Sequence, residues 1–419
     1  MKLAFLSFPL ALLLACAAPK ETPTSPSNNV VPPAAAAPLQ PAPLPPDAPS
    51  MQSLATANNA FGLALWKQLS ATHTGNLAVS PASISLALSM TLAGASGPTA
   101  DQMQKTLALT TAPHAPMSTL LALWNAPNKP YALRIANRLF GEKTTTFLAP
   151  FLDTIAKQYG APLEPVDFAN APDAARLHIN NWVATRTEDK VKDLLPSGFI
   201  DPDARLVLVN AIYFKGDWLT RFDAAQTSTA DFATPSGPKP AKFMRMKTDT
   251  LGYAETKNAS LVELPYSGND LAMTVVLPNA DTSLAALEAA LTSDSLDAAF
   301  AALNPTSSLT VAIPRFRIAT DTLPLRPTLE ALGMTLPFGP DADFSAMSDA
   351  DLYIKNAFHK VFVEVNEDGT EAAAATAVVM NRKSAARPVS FTADRPFLFF
   401  IRDLRTNHIL FMGRVTDPS

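Results

Sequence analysis

A single cysteine among 419 residues excludes a disulfide within the chain, so stability must come from packing. Histidine is scarce as well. The five are His73, His114, His178, His359 and His408, and none has a partner at helical metal-ligand spacing. The sequence has no phosphate loop, no G-x-G-x-x-G and no G-x-S-x-G; Gly94-Ala95-Ser96-Gly97 misses the last by a residue. No paired-carboxylate site stands out. These absences argue against an enzyme and leave no reason to invoke a cofactor or a metal. Charge of one sign is also in short supply: the formal net charge is −4, which gives no reason to expect nucleic acid. No run beyond the first residues is long and apolar enough for a transmembrane helix.

What is present is apolar mass. Hydrophobic residues make up 47% of the chain, enough for a large core. Residues 1–15 open with Met1-Lys2 and continue as an apolar run of signal-peptide length, too short for a stable membrane-spanning helix. The run closes on Leu13-Leu14-Ala15-Cys16. This resembles the bacterial lipobox, whose cysteine is acylated after the signal is cut, and it predicts a secreted, membrane-anchored lipoprotein, periplasmic or at the cell surface, held through Cys16. Residues 17–50 carry 11 prolines and cannot form a core. With Cys16 they read as an extended tether, on the order of 100 Å if fully stretched. The globular domain is expected over 51–419.

Within it, 54–69 has helical apolar spacing. Ser80-Pro81 is a helix start, with an N-cap hydroxyl and a proline at the first helical position, and the apolar run through Leu92 stops at Gly94. Residues 132–140 read as a strand, and 180–195 as an exposed amphipathic helix ended by Pro196. The run 206–214, LVLVNAIYF, reads as a strand buried on both faces, with Asn210 unexpected in its middle. A buried amide without partners costs roughly 1–3 kcal/mol. Strands are predicted over 242–246, 251–255, 261–265 and 271–278, helix over 283–303, and a strand over 309–318 that Pro314 marks as an edge or a bulge. A short helix is expected over 328–332.

The stretch 364–391 organises the rest. Val361 to Val365 alternates as a half-buried strand does. Residues 369–377 are then one Gly, two Thr, one Glu and five Ala. Alanine favours helix. Taken at period two, however, Thr370, Ala372, Ala374, Thr376, Val378 and Met380 form an uncharged row of mostly small side chains that a sheet could bury at no ionic cost. A basic pair follows, Arg382-Lys383, then Ser384.

The run Glu364-Val365-Asn366-Glu367-Asp368-Gly369-Thr370-Glu371-Ala372-Ala373-Ala374-Ala375-Thr376-Ala377 resembles the hinge and reactive-centre loop of the serpins, the serine protease inhibitors. Residues 395–402 and 409–415 resemble that family's closing strand pair. The resemblance implies an α+β serpin fold: a large central, mostly antiparallel β-sheet, additional sheets, about eight to nine helices and an exposed reactive-centre loop over about 367–390. It implies that Ser80, Ser83, Asn210 and His359 meet at the sheet centre as a structural switch, and that Trp218 packs near the loop's insertion point. Family spacing places the reactive bond at Lys383-Ser384, with Arg382-Lys383 one residue away. It also implies a monomer without cofactors whose partner is a trypsin-like serine protease, held covalently. A non-inhibitory serpin, or a surface-anchored binding protein in which the loop is incidental, is the alternative.

Overall fold

The alternation in LVLVNAIYF is realised in three dimensions. In the strand Leu206–Asp217, Leu206, Leu208, Ile212 and Phe214 join the main core, while Val207, Val209, Ala211 and Tyr213 join a second core on the opposite face. Side chains of a strand alternate in this way, so a strand covered on both sides reads as a continuous apolar run. The structure, a computed structural model, describes Leu44, residues 48–370 and residues 388–419. Nine α-helices and three sheets are present among these residues.

The central sheet runs in the order Phe316–Ala319, Ala357–Val365, Gly369–Thr370, Leu206–Asp217, Tyr131–Glu142, Glu164–Val166. The long strands Leu206–Asp217 and Ala357–Val365 pair directly in parallel, from Ala357↔Leu208 to Phe362↔Tyr213. Beyond that stretch they part, and Gly369–Thr370 lies between them: Thr370 is opposite both Val365 and Gly216, and Gly369 is opposite Asp217. The helix Pro172–Arg186 covers the second core, where Ile179 and Val183 meet Phe140, Val209, Phe358 and Phe362. The other two sheets close the main core. The seven-stranded one includes the antiparallel pair Phe397–Asp403 and Ile409–Val415. The four-stranded one begins with Val389–Thr392, the strand that carries the chain away from the loop.

Three sequence expectations need correction. The helix expected over 180–195 is Pro172–Arg186. Asn180 clasps the chain beyond it, donating from Nδ2 to Leu195 O at 2.9 Å and accepting Leu195 N–H on Oδ1 at 2.8 Å. Thr187 Oγ1 accepts Val191 N–H at 3.2 Å, and Glu188 and Asp189 turn to φ 52° and 60°. These side-chain bonds supply what a further helical turn would have supplied, so the helix stops well before Pro196. The helix expected over 283–303 is two, Leu284–Ala290 and Ser293–Ala301. Leu291 is extended, and Thr292 starts the second with a reciprocal capping box to Ser295. The strand expected over 309–318 is likewise two, in different sheets. Leu309–Pro314 lies inside the four-stranded sheet, and Phe316–Ala319 is an edge of the central one. Pro314 therefore marks a crossing between sheets, not an edge or a bulge. The first described helix begins at Ala48, slightly before the expected domain start at 51. The helices His114–Trp124 and Ala149–Tyr159 and the strand Ser228–Thr234 were not among the expected elements, although Phe151, Ile155 and Tyr159 recur at helical spacing before Gly160.

Candidate functional site

Two constellations sit on the central sheet. One lies where the two long strands are still paired, and the other where they part.

The register places Asn137 opposite Asn210 and Asn210 opposite His359, so three polar residues form a row across three strands. All are buried. Beneath them the helix Pro81–Leu92 starts at Ser80, whose Oγ accepts Ser83 N–H at 3.2 Å and donates to Leu410 O at 2.6 Å. Ser80 N–H donates to His359 Nε2 at 3.0 Å. A backbone N–H can only donate, so Nε2 is the acceptor and Nδ1 carries the proton. Nδ1–H then donates to Asn210 Oδ1. Asn210 Nδ2 donates to Ser83 Oγ at 2.8 Å and to Asn137 Oδ1 at 3.0 Å. Ser83 Oγ donates to Asn137 Oδ1 at 3.1 Å, and Asn137 Nδ2 donates to Ser83 O at 2.9 Å. The structure thus brings Ser80, Ser83, Asn210 and His359 together, with Asn137 as a fifth member. Its strand, YALRIANRLFGE, also carries Arg134 and Arg138, so an amide there does not stand out as Asn210 does.

Such a network ties the two strands together at low cost only while every donor is met. It also depends on a neutral imidazole. Burial pushes His359 down to about 3. Buried His408 is pushed to about 4 by the same cause, opposed by the charge of Asp403. Both titrate near 6.5 when unfolded, so between these values the unfolded chain binds more protons than the folded one. The stabilisation is complete above pH 6.5 and is lost as pH falls below it. From pH 6.5 to 5, unfolding free energy measured in urea should drop by about 1.4 kcal/mol per pH unit for each histidine. Burial lowers His114 in the same direction; a flat profile over that range would contradict the assignment, and His359→Asn should reduce the slope by one histidine's share.

Where the strands part, Trp218 holds the segment that leads into the loop. Its backbone N–H donates to Asp368 O at 2.8 Å and its indole Nε1 to Asn366 O at 2.9 Å. The indole stacks on Tyr266, with centroids 4.6 Å apart and planes at 17°. Tyr266 in turn meets Thr370, hydroxyl to hydroxyl, at 2.8 Å. Both are fully buried. Glu367 accepts from Arg315 Nε and Nη2 at 2.8 and 2.6 Å and from Thr227. Burial alone would raise its carboxyl, but the hydrogen bonds from Arg315 and Thr227 and the Arg315 charge hold it below the usual range. Arg221 reaches Asp368 at 3.3 Å. Gly369 is required by close approach: a Cβ there would lie 2.0 Å from Gly216 O. Tyr266 and Arg315 carried no signal in the sequence, since each looks like an ordinary strand residue.

Of the expected site residues, Gly369, Thr370 and Trp218 therefore meet at one end of the sheet. Glu371, Ala372, Ala373, Ala374, Ala375, Thr376, Arg382, Lys383, Ser384 and Cys16 lie outside the described residues. What the described part can do is mechanical. The chain leaving Thr370 starts in the short gap beyond Phe362↔Tyr213; past it the two strands are paired with each other, and a longer added strand needs them to separate.

The family described as Serpin (serine protease inhibitor) matches this chain over residues 56–418. Serpin B6 of Macaca fascicularis is 41% identical over 377 residues, covering 88% of this chain and 100% of its own. The leukocyte elastase inhibitor of Sus scrofa is 42% identical over 379 residues, again covering 88% and 100%. Among solved structures, uncleaved ovalbumin superposes with a TM-score of 0.79 at 29% identity, covering 87% of this chain and 100% of its own.

Proposed function

The chain belongs to the serpin family, and from that premise we propose that it is a suicide-substrate inhibitor of a trypsin-like serine protease. The observation that supports this most is Gly369–Thr370, already seated between Leu206–Asp217 and Ala357–Val365. In this reading the protease serine attacks the carbonyl carbon of Lys383. The bond to Ser384 breaks, the amine of Ser384 leaves with a proton, and Lys383 remains as an acyl ester on the protease. The cut frees the hinge side of the loop. Thr370, Ala372, Ala374 and Thr376 then follow one another into the gap, each small enough to enter without displacing a charged side chain into the core. Ladder hydrogen bonds and burial drive the entry, and the attached protease is carried along before water can release it.

Specificity resides in the loop, so it need not follow the relatives. An elastase pocket takes small residues, whereas a trypsin pocket is acidic and suits Arg382 or Lys383. Residues 1–50 support a site of action at a membrane, with the domain held through lipidated Cys16.

The test is to mix the full chain with trypsin and run a denaturing gel. A band at the summed mass that survives boiling in detergent is expected, together with a released fragment whose mass begins at Ser384. Cleavage with trypsin left fully active and no such band would overturn the reading for this protease class.

A further inference from the structure

The turn that carries Tyr266 has a second attachment, away from the loop. Tyr266 N–H donates to Leu271 O at 2.9 Å and closes the turn, and Asp270, near its other end, enters a buried charged cluster. Lys129 pairs with Asp270, and Arg405 Nη1 lies 3.7 Å from the same oxygen, Oδ2. Leu404 N–H donates to Asp270 O at 2.8 Å. Arg405 is bound in turn to Asp403, Nε to Oδ1 at 2.9 Å and Nη2 to Oδ2 at 2.5 Å, and Trp124 Nε1 donates to Asp403 Oδ2 at 2.9 Å. Two carboxylates thus meet two cations. His408 stands edge-on against Trp124, with centroids 5.1 Å apart. It is fully buried, and neither ring nitrogen has a partner among the described residues. The titratable groups around it are Asp403 and Arg405 of its own hairpin, Asp270 of the turn, and Lys129 and Tyr131 of the segment that leads from the helix His114–Trp124 into the central sheet. Burial pushes the Tyr131 hydroxyl up, so it stays neutral. The helix Ala48–Thr72 presents the amides Asn58 and Asn59 to this hairpin.

We propose that this cluster is an acid-released clasp on the turn: a proton on His408 undoes it and so loosens the hold of Tyr266 on Thr370. The charges balance only while the imidazole is neutral. A proton adds a positive charge and a second N–H, and each Asp403 oxygen already accepts two hydrogen bonds, from Arg405 N–H and Nε and from Arg405 Nη2 and Trp124. A buried charge without a partner is costly, so the protonated ring leaves for water. The packing on Trp124 goes with it, and the water that enters weakens the attraction between Arg405 and Asp270. The turn is then free at Asp270. While the cluster is closed it has little room to move: a Cβ on Gly268 would lie 2.7 Å from the Pro130 ring. Tyr266 touches both Trp218 and Thr370, so a shift of the turn is felt at the hinge. The acid form seats the hinge less firmly, and more inhibitor is cleaved for each protease trapped. That last consequence rests on the trap reading above; the opening of the clasp does not.

Two indole N–H groups report on the two ends of this path: that of Trp124 sits on Asp403 and that of Trp218 on Asn366 O. Their resonances can be followed in nitrogen-15 spectra of the full chain, assigned through Trp124→Phe and Trp218→Phe. Between about pH 7.5 and about pH 4 both should move, with one shared midpoint. Burial holds His408 down to about 4 in the closed cluster, against 6.5 for an open ring, so the midpoint lies between these values. His408→Phe fills the same space without a titrating group and should abolish the shared transition, as should His408→Gln. A Trp124 signal that stays fixed, or loss of the whole fold by circular dichroism before it moves, would overturn the clasp. A Trp218 signal that stays fixed while Trp124 moves would overturn the link to the hinge. At neutral pH, Asp270→Asn opens the clasp without acid and should raise severalfold the number of inhibitor molecules consumed per trypsin trapped; an unchanged number would overturn the effect on trapping. If the chain traps no trypsin at all, the function reading fails while the spectra still decide the clasp.

Discussion

Thr370→Arg should turn the chain from an inhibitor of trypsin into a substrate for it. Thr370 is the described loop residue that pairs with both flanking strands. It is fully buried, and its hydroxyl meets that of Tyr266, which is itself pressed against Trp218. Among the described residues its side-chain hydrogen-bond partner is the Tyr266 hydroxyl, half of a packed aromatic pair. A guanidinium at this position would have to be buried without a partner or stay outside the sheet, and staying outside is cheaper. The hinge then cannot start, and deacylation wins the race. Each 1.4 kcal/mol added to the barrier for entry costs a factor of ten in its rate, so a penalty of about 3 kcal/mol would raise the inhibitor consumed per protease trapped roughly a hundredfold. Among the described residues the hinge contributes a two-residue strand, Gly369–Thr370, and the native fold should survive its loss. Thr370→Ser keeps size and hydroxyl and should inhibit normally. The measurement is the ratio of complex to cleaved chain on a denaturing gel. Undiminished inhibition by Thr370→Arg would mean that entry does not begin at this residue.

The second large effect is expected at Lys383. A trypsin pocket recognises its substrate through a buried carboxylate, and a lysine removed from such a pair forfeits about 3 kcal/mol, so Lys383→Ala should slow trypsin inhibition by at least about a hundredfold. Inhibition of a protease with a small pocket should rise in the same variant, since the rest of the loop is unchanged. Arg382→Ala is the control. If Arg382→Ala abolishes inhibition and Lys383→Ala does not, the reactive bond is Arg382-Lys383. If neither changes the rate, the basic pair is not what the protease reads.

What could be read in the sequence follows from where the physics is local. The strand through Asn210 was legible because a strand covered on both faces has no choice but to be apolar throughout, and one amide in it then stands out. Ser80 was legible because a cap and a following proline act within a single turn. Helix ends set by distant partners were not. The clasp of Asn180 on Leu195 terminates the helix Pro172–Arg186, and nothing within that window announces it. The break at Pro314 reflects a change of sheet, which is a property of topology and not of spacing. In the candidate site, Ser80, Ser83, Asn210, His359 and Trp218 were found through the family resemblance. Asn137, Tyr266 and Arg315 escaped because a residue that serves by touching another strand looks like any other residue of its own strand.

The account's central claim is that the loop, once cut, becomes a strand between Leu206–Asp217 and Ala357–Val365. Thermal melting of the chain before and after a single cut in the loop tests it without requiring any particular target protease. An added strand of about a dozen residues brings new ladder hydrogen bonds, each worth about 0.5–1.5 kcal/mol, and the midpoint should rise by on the order of 20 °C. A midpoint that stays where it was, or falls, would contradict it.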